Sequence, residues 1–205
     1  MGVNLNHVKA LGSLMANYES DLEYIARFQD LKKSGFSYTE SYINKDDSGS
    51  FKAFINEFRV ARNIKKELFE NLLIETIIWV QKENADNVDD FAKFINKKGL
   101  SHDKRIPVSL ASKILMLNNP WEILPIDSLT KKSLKHKYNN NEYSVFKPAL
   151  NKYIEEFRPK LEADLRTIEF YLVEVESKFK DRLNDIEKIR FNRYVDKTLW
   201  VGGRK

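Results

Sequence analysis

Apolar residues recur every three or four positions through nearly the whole chain, and no stretch alternates apolar with polar residues as a half-buried strand would. The spacing predicts helices over Val8–Lys33, with Asn17 as the candidate break, and over Phe51–Ala61, Lys66–Lys82 and Val88–Lys97. It predicts others over Val108–Leu117, Ser128–Lys137 and Glu142–Phe157, a long one from Pro159 to about Arg190, and a short one at Arg193–Trp200. Start and stop signals agree with several of these limits. Ser50 precedes Phe51, Asn87 precedes Val88 with Asp89 and Asp90 in the first turn, and Pro107 and Pro159 stand at helix entrances. Gly99 follows Lys97 and Lys98 as a C-terminal cap. The polar segment Ser37–Ser50 is the expected mobile loop. Along 159–190, Leu161, Leu165, Ile168, Leu172, Val175, Phe179, Leu183 and Ile186 form a narrow apolar seam. Without clean flanking charge pairs, it reads as a helix others pack against rather than a coiled coil.

Composition turns this pattern into one folded domain. The chain has 205 residues, 42% of them hydrophobic, with 13 Phe, 9 Tyr and 3 Trp, enough for a core and too much for disorder. There is no Cys, which excludes a disulfide scaffold, a thiol nucleophile and a Cys-ligated metal. The first residues lack a basic segment followed by a long apolar run, so a secretory leader is not expected. The longest apolar stretch, Leu72–Val80, is interrupted by Glu75 and Thr76 and is too short to span a bilayer. Met1-Gly2 lacks the hydroxyl residue a myristoylation signal needs, because position 6 is Asn. The expectation is an all-α, single-domain, monomeric cytoplasmic protein with no membrane contact.

The net charge of +5 is concentrated. From Lys97 to Lys137 nine Lys or Arg face three acids, so this window carries +6 and the remainder −1. Such a patch suits a phosphate-bearing partner; a solvated lysine-rich surface is the other reading.

The same window holds the candidate chemistry. Gly99–Lys137 reads GLSHDKRIPVSLASKILMLNNPWEILPIDSLTKKSLKHK: a capped helix end, a basic turn, a short apolar helix, a Pro-bearing loop ending in Pro125-Ile126-Asp127, and a basic helix. LASKILMLNNPWEILPID resembles the second hairpin helix, loop and Pro-hydrophobic-Asp of the helix-hairpin-helix DNA glycosylases. The closing FNRYVDKTLWVGGRK resembles the ends of small stand-alone bacterial members of that superfamily. The resemblance implies a two-lobed helical fold, with both chain ends in one lobe and the middle in the other. It makes Asp127 the catalytic carboxylate. A carboxylate beside the sugar stabilises the positive charge that builds as an N-glycosidic bond breaks, and can deprotonate the attacking water. Read without the family, Asp127 is an ordinary N-cap of a lysine-rich helix.

Departures from the family pattern refine the expectation. The hairpin turn usually has a Gly-x-Gly whose backbone grips a phosphate; His102, Asp103, Lys104, Arg105, Ile106 and Pro107 have no such pair, leaving His102, Lys104 and Arg105 as side-chain contacts. Members with lyase activity carry a Lys just before the Ala motif, where this chain has Ser109. That implies a monofunctional enzyme using water, with Ser109 and Lys113 in supporting places. Trp121, with Asn118, is the candidate wall for a flipped base, Trp79 and Tyr138 are further candidates, and large aromatics in helical proteins are otherwise core. Lys131, Lys132 and Lys135 are expected on the DNA backbone.

Other chemistries lack their residues. There are 3 His, no His-x-x-x-His pair, no glycine-rich phosphate loop and no Gly-x-Ser-x-Gly. No metal or cofactor is expected, and the superfamily's iron–sulfur subgroup is excluded for want of cysteine. The expected activity is therefore excision of a modified or damaged base from double-stranded DNA, leaving an abasic site, in repair or against modified phage DNA. A non-catalytic helical DNA-binding protein and a helical interaction protein are the alternatives.

Overall fold

In a computed structural model, residues 5–44, 49–60, 64, 66–101, 106–135 and 142–204 are described. Among them every regular element is helical, with no strand, and no helix is long and apolar enough to cross a membrane. The chain divides into two compact units, one made of residues 1–22 and 124–205, the other of 23–123.

Helix α1 (Leu5–Lys33) runs 29 residues and contributes to both units. The break predicted at Asn17 does not occur: the helix continues through it, and the Asn17 amide donates to the Ser13 carbonyl one turn back.

In the middle unit α1 is followed by α2 (Thr39–Asn44) and α3 (Phe51–Glu57). Next come a 3-10 turn at Lys66–Leu68 leading into α4 (Phe69–Val80), then α5 (Val88–Lys97) and α6 (Val108–Asn118). The caps predicted at Ser50 and Asn87 form, each side chain accepting the N–H three residues on at 3.1 Å. Gly99 ends α5 with a positive φ of 68°, the conformation a C-terminal cap requires. Two expectations fail here. Thr39–Asn44 is helical inside the predicted loop, anchored by buried Tyr42 and Ile43. Helix α3 stops before Ala61 because Arg59 turns left-handed and the Val60 N–H bonds back to the Ile55 carbonyl at 3.1 Å.

The unit holding both chain ends adds α7 (Ser128–Ser133), α8 (Tyr143–Arg166), α9 (Glu169–Ser177) and α10 (Ile186–Gly202). The helix predicted over 159–190 is corrected to parts of three. Pro159 lies inside α8, not at an entrance. A turn at Thr167-Ile168 ends α8, where the Thr167 hydroxyl donates to the Asp164 carbonyl at 2.6 Å. A second turn ends at Asp185, which has a φ of 45°. Most of the seam survives the breaks: Leu161, Leu165, Leu172, Val175, Phe179 and Leu183 are buried, while Ile168 and Ile186, at the turns, are half-buried.

Helices α7 and α10 pack closely at their backbones. Gly203 lies so near the Leu129 carbonyl that any Cβ there would overlap it, and Gly202 lies against the Ser133 hydroxyl.

Candidate functional site

Asp127 is placed by its own helix and by a lock just before it. The Tyr143 hydroxyl donates to the Leu124 carbonyl and accepts the Leu124 N–H, both at 3.2 Å, which fixes the extended strand of chain that leads into α7. Leu124, Pro125 and Ile126 are buried, so their apolar side chains anchor the segment while Asp127 stays half-exposed. Asp127 is the N-cap of α7: its Oδ1 accepts from the Thr130 N–H at 2.9 Å and from the Thr130 hydroxyl at 3.1 Å. Among the described residues no donor reaches Oδ2. The carboxylate is thus held through one oxygen.

Two charged side chains of its unit interact with it electrostatically, Lys131 on α7 and Asp196 on α10. One turn along α7 is Lys131, half-buried; burial pulls its ammonium below the usual lysine range and the Asp127 carboxylate offsets part of that fall. On α10, Arg193 is buried, its Nε donating to Asp21 at 2.9 Å and its Nη2 pairing with Asp196 at 3.2 Å. Lys197 Nζ also reaches Asp21, at 3.2 Å. Burial alone would raise the Asp21 carboxyl, but Arg193 and Lys197 together outweigh it and hold it below the usual carboxylate range. Asp196 goes the other way. Burial raises its carboxyl, Arg193 and Lys197 oppose the rise, and the negative charges of Asp127 and Asp21 add to it. Asp127 and Asp196 are therefore electrostatic neighbours, both half-buried, with Asp196 against a guanidinium.

Lys132 and Lys135 are exposed, at the end of α7 and just beyond it, with Lys135 at a φ of 52°. Asp127, Lys131, Lys132 and Lys135 thus share one unit.

The remaining expected residues fall in the middle unit or outside the described residues. His102, Lys104, Arg105 and Tyr138 lie outside them. Ser109 is half-buried in the first turn of α6, its carbonyl accepting the Ser112 hydroxyl at 3.1 Å. Lys113 is half-buried and donates to the Phe58 carbonyl at 2.9 Å, capping the end of α3. Asn118 is buried with both ends of its amide engaged: Oδ1 accepts from Lys32 at 2.7 Å and Nδ2 donates to Asp86 at 2.9 Å. Asn119 donates to the other Asp86 oxygen at 2.6 Å. Asn118 therefore braces α1, α6 and the turn before α5. Trp121 is half-buried in the turn after α6, and Trp79 is half-buried too, tilted against Phe91 and Phe94 and donating to the Ala85 carbonyl at 2.8 Å.

Sequence reasoning missed Tyr143, Asp21, Arg193, Asp196 and Lys197. The last three carried a signal: charges spaced three and four apart on a helix whose neighbours Tyr194, Val195 and Leu199 are apolar, so that the charged stripe is also a packed one. Among the described residues no three His, Asp or Glu side chains gather as a metal centre would need. No protein-family model, no curated protein and no solved structure matches this chain.

Proposed function

We propose that the protein is a monofunctional DNA glycosylase with Asp127 as its catalytic carboxylate. One observation carries the reading: Asp127 is held at Oδ1 by Thr130, and the segment leading to it is tied at Leu124 by Tyr143. A carboxylate so restrained needs little reorganisation to face developing positive charge. In the reaction the C1′–N bond of a flipped nucleotide breaks and its electron pair leaves with the base. Asp127 stabilises the cationic sugar and takes a proton from the water whose oxygen bonds to C1′, and that proton passes on to the departing base. Support also comes from the basic α7 next to Asp127 and from the grouping of both chain ends apart from the middle, the division the glycosylase resemblance implies. Repair of damaged bases and attack on modified phage DNA are both open to such a chemistry.

The test is strand scission on duplexes bearing ordinary, oxidised, alkylated, deaminated and phage-type modified bases, with and without alkali. Asp127→Asn is the informative variant, because Asn retains the helix cap while losing the charge. Alkali-dependent breaks on one substrate, abolished in Asp127→Asn, are expected. Breaks without alkali would mean a lyase. No breaks on any substrate, with DNA binding intact, would favour a DNA-binding protein in which Asp127 is only the cap of α7.

A further inference from the structure

The end of α10 carries a feature the glycosylase reading does not use. After Gly202 the chain turns, with the Gly203 N–H on the Leu199 carbonyl at 3.0 Å and the Arg204 N–H on the Val201 carbonyl at 3.2 Å. That turn brings the Arg204 guanidinium over the Trp200 ring, 3.4 Å from its centroid. Arg204 is exposed and Trp200 half-buried. Among the described residues no carboxylate pairs with Arg204. A guanidinium stacked on an indole is held in one plane, while the N–H groups along its edge remain available to a flat, bidentate anion such as a phosphate.

Its position gives it company. Gly203, the residue before Arg204, packs its backbone on Leu129 of α7, so Arg204 leaves α10 directly beside that helix. From Ser128 to Lys135 the segment carries Lys131, Lys132 and Lys135 and no acid. The acids of the neighbourhood, Asp127 and Asp196, are half-buried.

We propose that the Arg204–Trp200 stack and the lysines of α7 and of the turn after it (Lys131, Lys132 and Lys135) form one phosphate-binding surface for duplex DNA, with Arg204 as its preorganised contact. The choice of DNA rests on the glycosylase reading; the surface does not depend on the reaction. Two helices distant in sequence supply it, and the glycine pair is what lets them meet closely enough to act on one backbone.

The experiment is the salt dependence of binding to an unmodified duplex of about twenty base pairs, which requires no knowledge of the excised base. Arg204→Gln is expected to reduce the slope of log affinity against log salt by about 0.9, the loss of one phosphate contact. Arg204→Lys is expected to keep the slope while weakening binding, since an ammonium has neither the fork nor the flat stack. Lys135→Gln should lower the slope by a similar step. Lys93→Gln, on an exposed part of α5, should leave it unchanged. Arg204 is exposed, so matching thermal unfolding curves will show that the fold is intact. Wild-type affinity and slope in Arg204→Gln would overturn the proposal, and so would an equal loss in Lys93→Gln, which would reduce the effect to net charge. Binding that follows Arg204 while no substrate is cleaved leaves this surface standing and removes the glycosylase. Cleavage indifferent to Arg204 does the reverse.

Discussion

At the scale of single residues, two aspartates of one ionic cluster should respond oppositely to neutralisation. Asp21 accepts from Arg193 and Lys197 and is held below its unfolded value near 3.9. It therefore contributes stability above that value, lost as pH falls through its folded value. Asp21→Asn removes a charge opposite the buried Arg193 and should cost about 3–5 kcal/mol at neutral pH. Urea midpoints should show that gap closing as the wild type is acidified below about pH 4. Asp196 is raised in the fold, so it contributes stability only below its unfolded value and loses it as pH rises through its folded one. At neutral pH its charge is a cost. Asp196→Asn should leave the midpoint unchanged or raise it; a loss as large as that of Asp21→Asn would show that its pairing with Arg193 outweighs its burial. At Asp127 the cap and the proposed chemistry separate: Asp127→Ala should cost about 1 kcal/mol of stability through the lost cap, and Asp127→Asn much less, while the proposed reaction predicts that both abolish base excision.

At the scale of elements, the contact of α7 with α10 sets where Asp127 sits. Gly203 is required for space rather than for conformation, because a Cβ there meets the Leu129 carbonyl. Gly203→Ala should therefore cost about 1–3 kcal/mol in denaturant unfolding and displace Asp127, lowering turnover without touching the carboxylate. Stability equal to wild type would mean that the helices can part freely. The Tyr143 lock is the second element-scale device. Tyr143→Phe keeps the ring and removes both hydrogen bonds to Leu124, leaving two buried backbone groups short of a partner. A loss of about 1–3 kcal/mol is expected, with a fall in kcat larger than any change in KM if the loop positions the carboxylate.

At the scale of the whole molecule, the chain groups into two units with separate ionic braces: Asp21, Arg193 and Lys197 in one, Asp86, Asn118 and Lys32 in the other. In the second brace burial lowers the Lys32 ammonium and Asp86 partly restores it. Hydrogen exchange followed by amide should then report locally. Asp86→Ala is expected to weaken protection first around α6 and the end of α1, and Asp21→Asn first around α10. Uniform loss of protection in both variants would mean that the chain opens as a single cooperative body.

The sequence by itself determined what depends on local spacing and local chemistry. The helical class follows from the three-four recurrence of apolar residues. The limits of α5 follow from Asn87 and Gly99, whose capping needs no distant partner. The cap at Asp127 was legible for the same reason: an Asp before a lysine-rich helix is a local arrangement, and it formed. Tertiary structure decided what depends on residues far apart in the chain. Tyr42 and Ile43 made a helix of a polar segment because burial outweighed its composition. The apolar seam of 159–190 stayed mostly buried but broke into separate helices, because periodicity records which face is buried and not whether the backbone runs straight. Arg193, Asp196 and Lys197 lie on one stripe of a helix, and only packing put Asp21 against Arg193 and Lys197. The Gly202-Gly203 pair entered the sequence reading only as part of the closing FNRYVDKTLWVGGRK; the close approach it permits depends on another helix, and only the packed structure shows which helix that is.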